Sequence, residues 1–418
     1  MIKKRILIIC LFLNFIFSIN KILIPMDEFQ TNHLKAYGIA FSSLAKQNKV
    51  DWLLNYRGGS FIVTLDNKIK KECLLKNVFY ETLSIEKISL IYATIEDENM
   101  ELVILDKTPK IAVYSPPNQQ PWDDAVTLAL TYADIKYEVV FDDEVMNGDL
   151  YKYDWLHLHH EDFTGQYGKF YRYRNQKWYK DMENSFSQTA KKYGFETVHK
   201  FKKNIALKIR DFVSKGGFLF AMCSATDSFD IALSFYNIDF AHSIYDGTPI
   251  DKTNISNVDY SNGIAFENYE LYTDPTIYEY SNIDYPSSHK PTTRTAESDY
   301  FTLSNFSAKW DPVPTMLIQN HISNVNGFMG QTTGYNKKFL KSHVLILGED
   351  LYSDQVKYIH GNIGKGTFTF LGGHDPEDYR HFVGDPPTDL DLHRNSPGYR
   401  LILNNILFPA AKKKPKKT

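Results

Sequence analysis

The sequence predicts an α/β fold organised as a doubly wound parallel sheet, with an N-terminal α/β segment and a loop-rich insertion. From residue 110 onward, short apolar runs alternate with segments of helical periodicity, the order expected when crossover helices join parallel strands. The run Phe218–Met222 is apolar throughout, which is typical of a strand buried on both faces. With 418 residues, 43% of them hydrophobic, the chain can bury a large core.

Residues 110–410 form the predicted main domain, with insertions near 163–192 and 246–309 that are rich in tyrosine and polar residues. Helical spacing predicts helices over 123–133, 201–213 and 399–407. Apolar runs predict strands at 111–114, 137–141, 153–158, 218–222, 316–318, 344–347 and 367–371.

Residues 21–109 form the predicted N-terminal segment, which begins with a β-α-β pattern: strands at 22–26 and 50–54 flank a helix, and further strands are predicted at 88–92 and 102–105. The polar side chains after its first two strands include Asp27, His33 and Arg57. These residues could line a ligand site at the strand ends, or form a helix cap and a surface ion pair.

Both ends of the chain carry basic residues. Residues 1–20 have the pattern of a signal peptide, in which a basic start precedes an apolar run over 6–17, so we expect an exported protein, periplasmic or extracellular, that meets a membrane only through this segment. An uncleaved anchor and a hydrophobic first strand are the alternatives. Residues 411–418 are expected to be a solvated basic tail. The net charge of −3 gives no reason to expect a nucleic-acid partner.

Cys223 lies where the predicted strand 218–222 turns into a helix. Small neighbours and the capping residues 226–228 are what a sharp strand-to-helix turn requires. A thiol at this turn would experience the positive end of the helix, which lowers its pKa. The backbone N–H of Ser224 would be placed to stabilise an oxyanion.

His374 follows the predicted strand 367–371, so its side chain should open on the same sheet edge as Cys223. A cysteine activated by a histidine that a carboxylate orients is suited to covalent acyl transfer, and Glu377 and Asp375 are the local carboxylates. We therefore predict Cys223, His374 and Glu377 as catalytic. The alternative is a buried apolar cysteine beside a histidine that anchors a loop.

A third strand end adds His157, His159, His160 and Glu161 to this edge. The histidines could hold a divalent metal, but their spacing matches no strong zinc pattern, so no metal or other cofactor is predicted and a metal at His157, His159 and His160 remains the alternative. The residues 361–367 do not form a phosphate loop, because Lys365 precedes glycine and the segment leads into a strand. The predicted substrate-binding residues are His159, His160, Glu161, Asp227 and Asp375.

Two stretches resemble the ThuA-like (trehalose-utilisation) branch of the class I glutamine amidotransferase-like superfamily: GGFLFAMCSATDSF at 216–229 and GKGTFTFLGGHDPEDY at 364–379. The resemblance implies a flavodoxin-like sheet, with the elbow residue after a central strand and a histidine on a late strand. ThuA-like chains commonly carry histidine at the elbow, where this chain has Cys223. Compared with the amidotransferases, Glu377 lies three residues after His374 instead of two.

Three functions are compatible with these features. The first is an exported Cys–His hydrolase acting on an amide or a sugar-derived substrate. The second is a non-catalytic carbohydrate-binding protein of the ThuA-like kind. The third, which requires a cytoplasmic location because synthetases need ATP, is a glutamine-hydrolysing amidotransferase that supplies ammonia as an asparagine synthetase does. In each case the expected partner is a small molecule or a carbohydrate, and the oligomeric state is open.

Overall fold

A computed structural model describes residues 21–117, 120–285 and 295–412. The predicted signal segment 1–20 and residues 413–418 of the predicted basic tail lie outside the described residues. Within the three described ranges, no helix combines the length and the apolar character needed to cross a bilayer.

The strands of the described ranges build two sheets. They are β1 (Lys21–Ile24), β2 (Val50–Leu54), β3 (Ser60–Thr64), β4 (Glu81–Leu83), β5 (Glu101–Leu105), β6 (Ile111–Tyr114), β7 (Glu138–Val140), β8 (Trp155–Leu158), β9 (Phe218–Met222), β10 (Tyr300–Leu303), β11 (Asn324–Asn326), β12 (Tyr335–Asn336), β13 (Leu345–Glu349), β14 (Gln355–Ile363) and β15 (Gly366–Leu371). The α-helices are α1 (His33–Ala45), α2 (Asn67–Leu75), α3 (Ile85–Asp97), α4 (Ala125–Tyr132), α5 (Asp142–Asn147), α6 (Lys177–Lys192), α7 (Val198–Ser214), α8 (Ser224–Ser234), α9 (Ser243–Asp246), α10 (Pro312–Leu317) and α11 (Pro397–Leu407).

The first sheet has the order β4-β1-β3-β2-β5, and all of its neighbouring strands are antiparallel. The predicted β-α-β start is present in split form: β1, α1 and β2 follow one another, and β1 and β2 run in the same direction with β3 inserted between them. Residues 55–59 connect β2 to β3, and four of them have positive φ, so the chain reverses in a hairpin too short for a crossover. The strand predicted at 88–92 lies in α3, where Ile91 and Ile95 face the sheet at helical spacing.

The second sheet has the order β11-β10-β13-β14-β15-β9-β8-β6-β7, and β12 pairs with β14. Strands β15, β9, β8, β6 and β7 are parallel, whereas β10 to β14 pair antiparallel. The predicted doubly wound parallel sheet, flavodoxin-like and class I glutamine amidotransferase-like, is therefore wrong, and the sheet is mixed. The connections 350–354 and 364–365 are too short to cross over, so β13, β14 and β15 must alternate in direction.

Strand β9 lies between two hydrophobic layers. Phe218, Phe220 and Met222 pack on the side of α1, α4 and α11, and Leu219 and Ala221 pack on the side of α7 and α8. Burial on both faces explains why β9 is apolar throughout. The run predicted as a strand at 316–318 instead ends α10, whose first turn begins with a proline.

Candidate functional site

The carboxyl ends of β8, β9 and β15 bring the predicted site residues to one edge of the second sheet, because these three strands are adjacent and parallel. His159 and His160 follow β8, Cys223 follows β9, and His374 follows β15. A pocket of about 410 Å³ opens there, and its lining includes Trp122, His160, Phe170, Arg172, Cys223, Ser224, Tyr278, Met329, Gly330, Gln331, His374, Arg380, His381, Phe382 and Val383. Cys223 and His374 thus line the same pocket.

Cys223 occupies a strained turn between β9 and α8. Its φ of 49° and ψ of −138° lie outside the regions that L-residues usually adopt, and the residue is 4% exposed. A Cβ at Gly330 would lie 3.0 Å from its sulfur, so a side chain at this position of the facing loop would crowd the thiol. Strain of this kind persists where the surroundings hold it, and it is concentrated at functional sites.

The sulfur of Cys223 is a thiol at neutral pH. Burial raises the pKa of the Cys223 thiol to about 11, although the backbone N–H groups of Thr332, Gln331 and Ser224 favour the thiolate. The helix-lowered pKa expected from the turn is not found, because the cost of desolvating a thiolate exceeds the stabilisation by these N–H groups.

A loop at residues 328–333 joins the two halves of the pocket. The backbone N–H of His374 donates to the carbonyl of Met329 at 2.8 Å, and buried Lys357 donates to the carbonyls of Phe328 and Thr333. The loop thereby holds the N–H groups of Gln331 and Thr332 near the sulfur. Sequence reasoning missed this loop, because it belongs to a polar stretch without a recognisable motif.

The carboxylate beside His374 is Asp123. Its Oδ1 lies 3.5 Å from Nε2 of His374, whereas the carboxylate of Glu377 lies 2.9 Å from Nδ1 of His393. Asp375 accepts hydrogen bonds from the hydroxyls of Tyr399 and Thr388, each at 2.8 Å. The structure therefore uses Glu377 and Asp375 to hold the loop after β15, away from the imidazole of His374.

Five imidazoles and two carboxylates form what we call the histidine cluster: His157, His159, His160, His374, His381, Asp123 and Asp124. The ring centroids of His159 and His160 are 3.9 Å apart, and those of His374 and His381 are 3.8 Å apart. Burial, together with neighbouring imidazoles, lowers the pKa of His160 and of His374 well below 6.5, so both are neutral at pH 7. Sequence reasoning missed Asp123, Asp124 and His381. The two aspartates gave one visible signal, a pair of acidic residues ahead of a helix.

Asp124 supports the inner part of the cluster. Its carboxylate accepts from the backbone N–H of Thr127 at 2.9 Å and lies 3.3 Å from Nε2 of His157 and 3.4 Å from Nδ1 of His159. Burial opposes ionisation of this carboxyl, but the two histidines hold its pKa well below the usual range. Glu161 accepts from the backbone N–H of His159 at 2.9 Å, and burial raises the pKa of Glu161 to about 7.

Asp227 lies behind the pocket wall, in the first turn of α8. It accepts from the hydroxyl of Thr332 at 2.8 Å and from the backbone N–H of Ser228 at 2.9 Å, and its side chain is fully buried. Burial raises the pKa of Asp227 from 3.8 to about 7. The sequence predicts that Asp227 binds substrate in the pocket. Its contacts instead show that it supports the 328–333 loop.

The raised pKa of Asp227 predicts a pH-dependent stability. Between about pH 4 and 7 the folded chain holds a proton on Asp227 that the unfolded chain has lost, so this residue lowers the free energy of unfolding as pH rises. An Asp227→Asn variant is expected to be more stable than the natural chain at pH 8, by up to about 4 kcal/mol, and equal to it near pH 4. Urea unfolding at both pH values measures the difference. The exposed Asp97→Asn variant is the control, and a difference that does not grow with pH would contradict the assignment.

The residues considered for an N-terminal site take part in structural contacts. Arg57 pairs with Asp27 through Nε at 2.6 Å, and Nε2 of His33 lies 3.0 Å from the carbonyl of Met26. These residues could have lined a ligand site or formed structural contacts, and the ion pair between Arg57 and Asp27 corresponds to the second interpretation.

Comparisons with known proteins give no family. No family model matches the chain, and no curated protein matches it. The solved structures similar to it include Gan42B, a GH42 β-galactosidase from G. stearothermophilus, with 11% identity and a TM-score of 0.27 over 64% of this chain. They also include two cytoplasmic proteins from Salmonella typhimurium, with 10% and 14% identity, both with TM-scores of 0.34, over 73% and 72% of this chain. The chain spans 28% of the β-galactosidase and the full length of both Salmonella proteins. At these TM-scores the similarities carry no argument about fold or activity.

Proposed function

We propose that the protein is a hydrolase that cleaves an amide or a sugar-derived ester, with Cys223 as the nucleophile. The observation that carries the proposal is the strained backbone of Cys223, which holds a sulfur at the start of α8, in a pocket, beside three backbone N–H groups. A buried cysteine with only a packing role would require neither a strained φ nor a pocket.

In the proposed reaction, His160, which lines the same pocket as Cys223, takes the proton of the thiol in place of the predicted His374, whose Nε2 faces Asp123. Nε2 of His160 lies 2.8 Å from the backbone oxygen of Asp123 and so carries the hydrogen, which leaves Nδ1 free to accept a proton. The sulfur attacks the carbonyl carbon, and the backbone N–H of Ser224 is available to the resulting oxyanion. The leaving amine or alcohol takes the proton from His160. A water molecule, deprotonated by the same imidazole, then cleaves the thioester and restores the thiol.

The pocket lining supports the choice of substrate class. Trp122, Phe170 and Tyr278 offer aromatic faces to a sugar ring, and Arg172 and Arg380 add positive charge. The same aromatic faces favour a second candidate function, carbohydrate binding without catalysis. Binding of a disaccharide with equal affinity by the natural chain and by a folded Cys223→Ala variant, without turnover, would favour this second function.

A thiol-directed analogue of glutamine tests the proposal. Cys73 is also buried, and burial likewise raises the pKa of its thiol to about 11, so it is a matched control outside the pocket. Peptide mass spectrometry at neutral pH is expected to find Cys223 labelled faster than Cys73, because only the pocket binds the reagent next to a sulfur. Cys73→Ala should leave the labelling of Cys223 unchanged. Equal labelling of the two cysteines would contradict the proposal.

A further inference from the structure

We propose that Asp123, His374 and His381 form a site for Zn²⁺, with a fourth coordination position open to the pocket. This inference does not depend on Cys223, since the site is defined by the outer part of the histidine cluster. Asp123 precedes α4 and lines a neighbouring pocket, whereas His374 and His381 lie in the loop after β15 and line the pocket with Cys223.

Two of the distances between the ligand atoms are close to those around a tetrahedral ion. Oδ1 of Asp123 lies 3.3 Å from Nε2 of His381 and 3.5 Å from Nε2 of His374. Zinc bound at about 2.0–2.1 Å by nitrogen and oxygen in a tetrahedron separates its ligands by about 3.3–3.4 Å. Both separations exceed ordinary hydrogen-bond lengths; the first matches an edge of such a tetrahedron and the second is slightly longer. Because the rings of His374 and His381 are stacked with centroids 3.8 Å apart, one of them must rotate for both Nε2 lone pairs to face the ion.

The polar atoms of the three side chains lack partners. Among the residues that the structure describes, both carboxylate oxygens of Asp123 and Nε2 of both histidines are buried without a hydrogen bond. The side chains of His374, His381 and Asp123 are 5%, 6% and 10% exposed. A buried carboxylate without a hydrogen bond is costly, and a divalent cation would satisfy Oδ1 of Asp123 and Nε2 of both histidines.

The hydrogen on the His381 ring is fixed by its other contact. Nδ1 of His381 lies 3.2 Å from a carboxylate oxygen of Asp378, so this nitrogen carries the hydrogen and Nε2 presents a lone pair to Asp123. Two acceptors then face each other with no hydrogen between them. A carboxylate that orients a ligating histidine in this way is a common feature of zinc sites. A doubly protonated His381 would form an ion pair instead, and that arrangement is one outcome of the test below.

The neighbouring group of Asp124, His157 and His159 is a poorer candidate. The side chains of His157 and His159 are fully buried, and none of the three residues lines the pocket with Cys223. His374 and His381, in contrast, both line it. Three protein ligands with one open position are typical of catalytic zinc, which polarises a carbonyl or phosphoryl oxygen of a bound molecule or lowers the pKa of a bound water.

Titration of the metal-free full-length chain with Co²⁺ and Zn²⁺ tests the site. The protein is dialysed against a chelator and carries no histidine tag. Co²⁺ is expected to bind at one equivalent with the intense visible absorption of a tetrahedral ion, and Zn²⁺ is expected to displace it. Mg²⁺, which prefers six oxygen ligands, should not.

Variants separate the site from its surroundings. Asp123→Asn and His381→Gln should each weaken Co²⁺ binding at least about 10-fold, whereas Asp124→Asn and Cys223→Ala should leave it unchanged. Circular dichroism confirms that each variant is folded, and either of the first two suffices if the other does not fold. No binding by the natural chain would show an ion pair only, and binding undiminished in both ligand variants would place the ion elsewhere; each result overturns the proposal. Cys223→Ala is expected to retain the metal site. If Cys223 proves inactive, the zinc site is therefore unaffected, and if no metal binds, the hydrolase proposal is unaffected.

Discussion

Replacing Cys223 with alanine is expected to reduce the hydrolysis of amide and ester probe substrates at least about 10³-fold. The reaction depends on a covalent bond to sulfur, and alanine cannot form one. The loss should appear in kcat with little change in KM, since the aromatic faces of the pocket remain. Steady-state kinetics with nitroanilides and nitrophenyl esters of sugar acids measure the effect.

Two further variants control for unfolding and for chemistry. Cys73→Ala, in α2, should keep the full rate, because Cys73 does not line the pocket. Cys223→Ser should retain a small residual rate, since a hydroxyl is a much weaker nucleophile than a thiol at neutral pH. Full activity of a folded Cys223→Ala variant would remove sulfur from the reaction.

Replacing Lys202 with methionine is expected to lower the free energy of unfolding by about 3–5 kcal/mol. Lys202 and Asp142 form a buried ion pair, in which Nζ lies 2.9 Å from both carboxylate oxygens and 3.1 Å from the hydroxyl of Tyr114. Methionine fills a similar volume but leaves the carboxylate of Asp142 buried with one neutral donor, the Tyr114 hydroxyl. Urea unfolding at pH 7 measures the loss.

The double variant Lys202→Met, Asp142→Asn identifies the cause. Removing both charges removes the penalty of the unpaired carboxylate, so the double variant should be more stable than Lys202→Met alone. A double variant as unstable as the single one would show that packing around Lys202, and not its charge, stabilises the fold.

The strand-to-helix turn at Cys223 could be predicted because its signals are local. An apolar run, small residues and helix-capping residues follow one another within 216–229, and β9 and α8 form there. The direction of the other strands could not be predicted in the same way. Apolar runs such as Thr367–Leu371 look alike in parallel and antiparallel sheets, and the lengths of the connections, which decide the direction, depend on where each strand ends.

The candidate site was predictable in part. Cys223, His160 and His374 follow predicted strands, so their common edge could be inferred from the order of elements. Asp123 and His381 lie in loops, and their distance from His374 depends on how those loops fold over the sheet. The raised pKa of Cys223 could not be predicted either, because it reflects burial of the thiol, and the 328–333 loop that packs against the sulfur has no recognisable motif.

The proposed role of Cys223 is tested most directly by trapping the covalent intermediate. The natural chain is mixed with an activated ester of a sugar acid, quenched with acid within one turnover and digested for mass spectrometry. An acyl group is expected on the peptide that contains Cys223, present in Cys73→Ala and absent in Cys223→Ala. Turnover of the ester without acylation of Cys223, at any quench time, would contradict the proposed role.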